Sequence, residues 1–280
     1  MKLPRTFEQI RAFFFQVIEQ PILTSFLVLL GMCVIILGAS MPYYITDFEG
    51  FYMQLLVEAH GILFDISIFG ILIFWLNKRG EQRLRIRTYK DEIDDFRLWK
   101  SEEAAFRTVG NIKRLNSHKI TDINLVNCYL SKTNLNYVNL AGSNINSADL
   151  TNSSLVETNL FNCRLNQTNL ECSTLNQANM EGAYASGASF KDAYLIKTYL
   201  QGSYLIKSNF FGAFLMEANL NGAYVTGADF TNANLYKADL RNAVGLTIEQ
   251  LQSAKTLYLA QLDPELEEEV KQKLPDLIGK

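Results

Sequence analysis

Ala218 to Leu240 reads ANLNGAYVTGADFTNANLYKADL, with a large apolar residue at every fifth position: Leu220, Val225, Phe230, Leu235 and Leu240. Extended backwards, the same frame runs without a slip through Leu140, Leu135, Leu130, Leu125 and Ile120 to Leu115, and only Ala185 is small. A period of five matches neither the helical repeat of 3.6 nor the strand repeat of 2. An internal repeat this short implies a solenoid rather than a globule. Taking the large residue as the centre of a unit, the residue two before it is small, as in Ser143, Ala148, Thr158, Cys163, Ala178 and Ala188. The residue just before the centre is commonly Asn, Asp or Tyr, as in Asn139, Asp149 and Tyr184. Alternate residues of an extended chain share a face, so the small residue and the centre turn inward and the one between them points out.

A slower rhythm is superimposed. Two residues after centres numbered in tens stand Gly142, Asn152, Asn162, Gly182, Gly202, Gly212 and Gly222. After the alternate centres the same position often holds Glu157, Gln167, Lys197, Lys207 or Glu217. Gly and Asn tolerate positive φ and the longer side chains do not. The pattern predicts two alternating turn types, only one of them left-handed.

The unit (small, then Asn or Asp, then Leu or Phe, then two variable residues) resembles the pentapeptide-repeat family, and the likeness covers Leu115 to Gly245. It implies an all-β solenoid: a right-handed quadrilateral β-helix with four units, hence 20 residues, per coil. The sequence supports that coil length independently, since Phe190, Phe210 and Phe230 are 20 apart, as are Tyr184, Tyr204 and Tyr224. GLTIEQLQSA and LDPELEEEV near the end resemble the C-terminal segments of other bacterial members.

Upstream the composition changes. Ile22 to Ser40 has no charged residue, and His60 to Leu76 has only Asp65. Each approaches the roughly 20 residues that cross a bilayer. The first lies too far from the start, and is too closely followed by a second, to read as a cleaved signal. The intervening Pro42–Met53 carries Asp47 and Glu49 but no Lys or Arg, whereas Lys78, Arg79, Arg83, Arg85, Arg87 and Lys90 follow the second span and Lys2, Arg5 and Arg11 precede the first. Positive flanks stay inside. These features predict an integral protein of the bacterial cytoplasmic (inner) membrane with both termini and the repeats in the cytoplasm. Tyr43, Tyr44, Tyr52 and Trp75 fall where an interfacial aromatic belt belongs.

The expected organisation is an amphipathic leader helix over 1–20, transmembrane helices over 21–42 and 55–77 around an external loop at 43–54, and a charged helical connector and cap over 78–114. The β-helix then occupies 115–245 and capping helices 246–280. Within the connector, Ile86, Tyr89, Ile93 and Phe96 follow a 3-4-3 spacing. That seam serves either a homo-oligomeric coiled coil or packing on the chain's own neighbour. Ser101 before Glu102 and Glu103, and Thr247 with Gln250, read as helix starts.

Little catalytic chemistry is visible. There are two histidines, His60 and His118, without a third partner, and four cysteines without metal spacing. Cys128 and Cys163 read as inward packing residues and Cys172 as outward. No cofactor, metal or enzymatic activity is expected. Two sets of residues remain as candidates. Glu58 and Asp65, seven apart on the second span, share a helix face, and ionisable groups at membrane depth are functional hypotheses by default. On the solenoid, Tyr184, Tyr204 and Tyr224 fall on one wall, while Tyr194, Phe214 and Tyr236, with Ile196 and Met216, form an apolar strip opposite. Either strip docks a protein partner or lies beneath a terminal helix.

The family resemblance implies further options. Some members mimic DNA and bind type II topoisomerases, which needs an acidic rod. Leu115–Gly245 holds nine acidic and eight basic side chains, a net of −1. No basic stripe suits nucleic acid either. Others are fused to two-span channel modules, but the segment between these spans is too short for a filter loop. The favoured reading is a membrane-anchored cytoplasmic scaffold docking an unidentified protein partner, with an accessory subunit of membrane transport second.

Overall fold

The computed structural model describes residues 21–46 and 48–279, and the expected leader helix lies outside them, as does Asp47. The described chain forms two units, divided between Arg79 and Gly80.

In the first unit, helix α1 spans Pro21–Thr46 and helix α2 begins at Phe48, running to Asp95 across the division. The expected loop at 43–54 is therefore helical on both sides of residue 47: nothing in Tyr43–Thr46 or Phe48–Gln54 breaks a helix, and Pro42 is passed within α1. Helix α2 is long and apolar enough to cross a membrane, with a mean hydropathy of 1.9 in its most apolar window, and α1 supplies a shorter apolar stretch, Leu29–Pro42. Almost every large apolar side chain described from Leu29 to Leu76 is exposed, including Ile35, Leu37, Phe64, Ile71 and Phe74.

The second unit is a stack of coils. Parallel bridges join residues 20 apart: Asn124 to Asn144, Asn144 to Arg164, Arg164 to Tyr184, and onward to Tyr204, Tyr224 and Val244. Three equivalent columns start at Tyr129, Asn134 and Asn139, so each coil has four walls with one bridged residue per wall. Three backbone hydrogen bonds per unit tie each coil to the next. Leu125 N–H donates to Asn144 C=O at 2.7 Å, Asn144 N–H to Ile123 C=O at 3.0 Å, and Asn127 N–H to Asn146 C=O at 3.1 Å, with equivalents along the stack.

Every corner is the same turn. The N–H three residues after a centre donates back to the centre's carbonyl, as Cys128 does to Leu125 at 3.1 Å and Ala223 to Leu220 at 2.9 Å; at Leu130 the Thr133 hydroxyl donates instead, at 2.6 Å. The third residue of the turn is left-handed whether it is Gly222 (φ +67), Asn162 (+53), Lys197 (+57) or Glu217 (+57). The expected alternation of two turn types is thus corrected. Closing a four-walled coil of five-residue units demands the same reversal at each corner, and long side chains adopt it despite their preference.

The bridged Asn and Asp residues help set those corners. Asn139 Oδ1 accepts the N–H of Ala141 at 3.1 Å, Asp149 Oδ1 that of Thr151 at 3.0 Å, and Asn219 Oδ1 that of Asn221 at 3.0 Å. This is the Asx-turn bond of a side chain to the backbone two residues on. It explains the preference for Asn and Asp just before each centre.

Inside, the Leu, Met and Phe centres from Leu125 to Leu240 are buried beside columns of Ala, Ser, Thr and Cys. Phe190, Phe210 and Phe230 stack within the tube, with centroids 4.9 and 5.3 Å apart. Buried hydroxyls are satisfied in two ways. Thr158 and Thr168 donate to Leu135 and Ile145 carbonyls of the preceding coil, both at 2.8 Å, while Ser153 and Ser203 donate to their own turn's carbonyls at 2.6 and 2.7 Å.

The ends are covered. Helix α3 (Glu102–Ser117) is capped by Ser101 Oγ, which accepts Ala104 N–H at 3.1 Å, and buries Ala105, Val109, Ile112 and Leu115. Leu115 is therefore a helical residue, and the first bridge comes at Asn124 rather than at the expected start. Five-residue spacing continued through the cap because α3 delivers its last apolar side chain to the same core. Ile93 is buried there too, with Ile86 and Tyr89 partly so. The seam on α2 packs against its own chain. Beyond Leu240 the coil also continues further than expected. Helix α4 (Ile248–Leu251) is inserted, after which Thr256 bridges Asn234 and Gln261 bridges Asp239, an offset of 22 rather than 20. Helices α5 (Pro264–Lys273) and α6 (Pro275–Ile278) follow.

Candidate functional site

The coil decides which side chains face out together, because residues 20 apart are held one above another. On the wall of Tyr184, Tyr204 and Tyr224, adjacent rings are 4.7 and 4.6 Å apart and within 3° of parallel. Their faces are occupied by one another, so the wall presents ring edges and hydroxyl groups. Val244 continues the column and is exposed.

The opposite wall is more apolar. Tyr194 stacks on Phe214 at 4.7 Å and 3°. Around the adjoining corner come the half-buried Ile196, Met216 and Tyr236, and Tyr236 stacks on Tyr258 at 5.8 Å. Two further exposed rings widen the strip: Tyr199 (49% exposed) on the next wall and Phe211 (37%) at the preceding corner, with Lys191 Nζ 5.7 Å from the Phe211 centroid. A rim of charge borders it, where Lys197 pairs with Glu217 at 3.6 Å. Sequence reasoning placed the six residues of the two strips but missed Tyr199, Phe211 and Tyr258. The first two were legible as neighbours in the 20-residue register. Tyr258 was hidden by the two-residue insertion that puts it 22 after Tyr236. Among the described residues, no terminal helix lines either strip in any ring contact or hydrogen bond; the one approach is Tyr258 itself.

The first coil has an asymmetric edge. Asn116, at the end of α3, imitates a missing coil: its Oδ1 accepts Asn139 N–H at 2.7 Å and its Nδ2 donates to Asn139 C=O at 2.8 Å. Arg97 donates to the carbonyls of Asn124 and Val126. Beside the third wall lies an open cleft of about 480 Å³ lined by Phe106, Val109, Lys113 and Lys132–Asn134.

The thiols are sorted by burial. Cys163 is fully buried, its Sγ donates to Leu140 C=O at 2.7 Å, and desolvation pushes its pKa up to about 12. Burial likewise raises Cys128 to about 11, against a smaller opposing pull from Arg97. Cys172 is exposed and free. On the rod surface, Arg241 grips Asp239 through two hydrogen bonds of 2.9 and 2.7 Å, lowering that carboxyl's pKa. His118 stacks near Tyr89 at 6.3 Å, and no cluster of three or more His, Cys, Asp or Glu suited to a metal occurs among the described residues. Glu58 and Asp65 are both exposed on α2.

The coil matches the family model described as pentapeptide repeats (8 copies), over residues 123–160, 158–195, 188–223 and 208–244. Solved structures similar to the chain include HetL, a pentapeptide repeat protein involved in heterocyst differentiation regulation from the cyanobacterium Nostoc sp. strain PCC 7120. It is 21% identical over 55% of this chain and 79% of that one, with a TM-score of 0.36. Another is alr5209, a pentapeptide repeat protein from Nostoc PCC 7120, 24% identical over 39% of this chain and 84% of that one, with a TM-score of 0.32. A third is QnrB1, a plasmid-mediated fluoroquinolone resistance protein, 16% identical over 55% of this chain and 85% of that one, with a TM-score of 0.31. No curated protein matches significantly.

Proposed function

We propose that this chain, whose residues 123–244 are pentapeptide repeats, is a non-catalytic scaffold anchored in a bacterial inner membrane by α1 and α2, docking a protein partner on the apolar quadrant of its cytoplasmic coil. One observation carries the reading. Tyr194, Tyr199 and Phe211 are exposed and Phe214 is half-buried, spread over one wall, the corner before it and the wall after it, on a rod whose other wall positions are mostly Asn, Asp, Ser and Thr. Exposed apolar clusters with a charged rim are the usual anatomy of a docking surface, aromatic at its centre. Stacked rings held by the coil are also rigid, so little side-chain entropy is lost when a partner covers them. The apolar, exposed surface of α1 and α2 supports the anchor.

The test is photo-crosslinking in membranes with a reactive amino acid at position 199. A specific adduct is expected, lost in Tyr194→Ala/Phe214→Ala and retained in Tyr204→Ala/Tyr224→Ala. The reverse pattern would move the dock to the tyrosine wall. An adduct untouched by either pair would remove both walls from consideration. The near-neutral coil disfavours topoisomerase binding through DNA mimicry.

A further inference from the structure

Asp65 lies within the apolar stretch of α2, is exposed, and makes no hydrogen bond or ion pair with any described residue. Phe51 and Leu55 of α2 line an apolar cleft with Ile36, Leu37, Ser40 and Met41 of α1. At 100° per residue, Asp65 is turned about 40° from Phe51 and about 80° from Leu55. Glu58 and Gly61, three and four residues apart, lie within about 40° of Asp65 on the same stripe. A Cβ at Gly61 would meet nothing within 4 Å, so another helix backbone can come close beside the carboxylate.

What would cover this stripe follows from charge. Neither Pro21–Thr46 nor Phe48–Asn77 contains a Lys or Arg. Helix α1 therefore offers no permanent cation, and a second copy of the chain would bring another carboxylate to the same place. A carboxylate at bilayer depth is unfavourable until it is paired or protonated, and a cation in a neighbouring helix is the partner that removes the penalty on both sides. Glu58 lies about 10 Å from Asp65 along the axis, just before the stretch His60–Leu76 in which Asp65 is the one charged residue.

We propose that Asp65 is the docking point for a membrane-spanning helix of a different protein, one carrying a Lys or Arg at matching depth and packing over Gly61. The inference rests on the membrane anchor proposed above, and the experiment separates the two. The full chain, with Trp99→Phe so that Trp75 is the sole fluorescent donor, is reconstituted in phosphatidylcholine vesicles. It is mixed with acceptor-labelled polyleucine transmembrane peptides carrying one Lys, one Glu or no charge at the depth of Asp65. Flotation is read first: a chain that does not float with the vesicles overturns the anchor and this proposal together. For a chain that floats, energy transfer to the Lys peptide is expected at about tenfold lower peptide concentration than to the uncharged one. That preference should vanish in Asp65→Leu and survive in Glu58→Gln. Equal transfer to all three peptides overturns the proposal while leaving the anchor standing. So does a Lys preference that persists in Asp65→Leu, or Asp65-dependent self-association without peptide, which would assign the stripe to a second copy.

Discussion

A single backbone conformation recurs at the corners of the coil, and sequence composition disguised it. Gly and Asn at some corners and Lys, Glu or Gln at others suggested two geometries, yet Lys207 has φ +55 and Gly222 has φ +67. The alternation records which side chains reach outward along the rod, not which corners need left-handed residues. Gly222→Ala should therefore cost about 1 kcal/mol from backbone strain alone, since nothing lies within 4 Å of the new Cβ. Lys207→Gly should leave stability within about 0.5 kcal/mol of wild type, because relief of strain offsets the added chain entropy. The midpoint of thermal unfolding for both variants checks the pair. The Asx bonds that explain the outward Asn and Asp residues were not legible, because spacing reveals which face a side chain takes and not what it bonds. The buried thiols give a pH dependence. Cys128 and Cys163 titrate near 9.0 when unfolded but at about 11 and about 12 when folded. Their contribution is complete below pH 9 and is lost as pH rises from there towards 12, because the unfolded chain releases the protons first. Melting temperatures between pH 8 and 11 should fall less steeply in Cys128→Ala/Cys163→Ala than in wild type, whatever the double substitution costs at pH 7.

Elements at the two ends show how a coil is started and stopped. Five-residue spacing continued from the repeats back to Leu115, but the side chain arrives on α3, whose helical axis brings Ile112 and Leu115 onto the first coil. Both a helix end and a coil can place an apolar residue there, so spacing alone located the core and not the element. At the other end, Leu257 and Leu262 are buried like repeat centres although the insertion at α4 breaks their register. A reading tied to a fixed frame stops at Gly245. The edge bonds are the device that makes these transitions work. Removing Asn116 by substitution with Ala unpairs Asn139 at the edge and should cost about 1–2 kcal/mol. Hydrogen exchange at the Asn139 N–H should accelerate, with little change at Asn179 two coils away. In the interior, Phe210→Ala empties the middle of the stacked phenylalanines, and a loss of about 3–5 kcal/mol is expected in chemical unfolding.

For the whole molecule, the sequence was most informative about the coil, where every unit restates the same pattern. It was least informative about recognition, because the repeat explains the outward Asn and Asp through their Asx bonds but gives no reason for the rings that replace them on some walls. Register shows which rings meet: Tyr194 stacks on Phe214, while Tyr199 stands between Asn179 and Asn219 on the next wall. The coil-to-coil bonding also has a mechanical consequence. Its backbone hydrogen bonds run along the rod from one layer to the next. Tension applied between the ends of the coil therefore loads a single layer at a time rather than shearing all of them together. A pulled molecule should unspool from one end in a regular staircase, each step freeing the 20 residues between bridged partners, or about 66–72 Å of thread. Optical-tweezer traces of uniform small steps are the expected signature, and one abrupt rip of the entire length would contradict it.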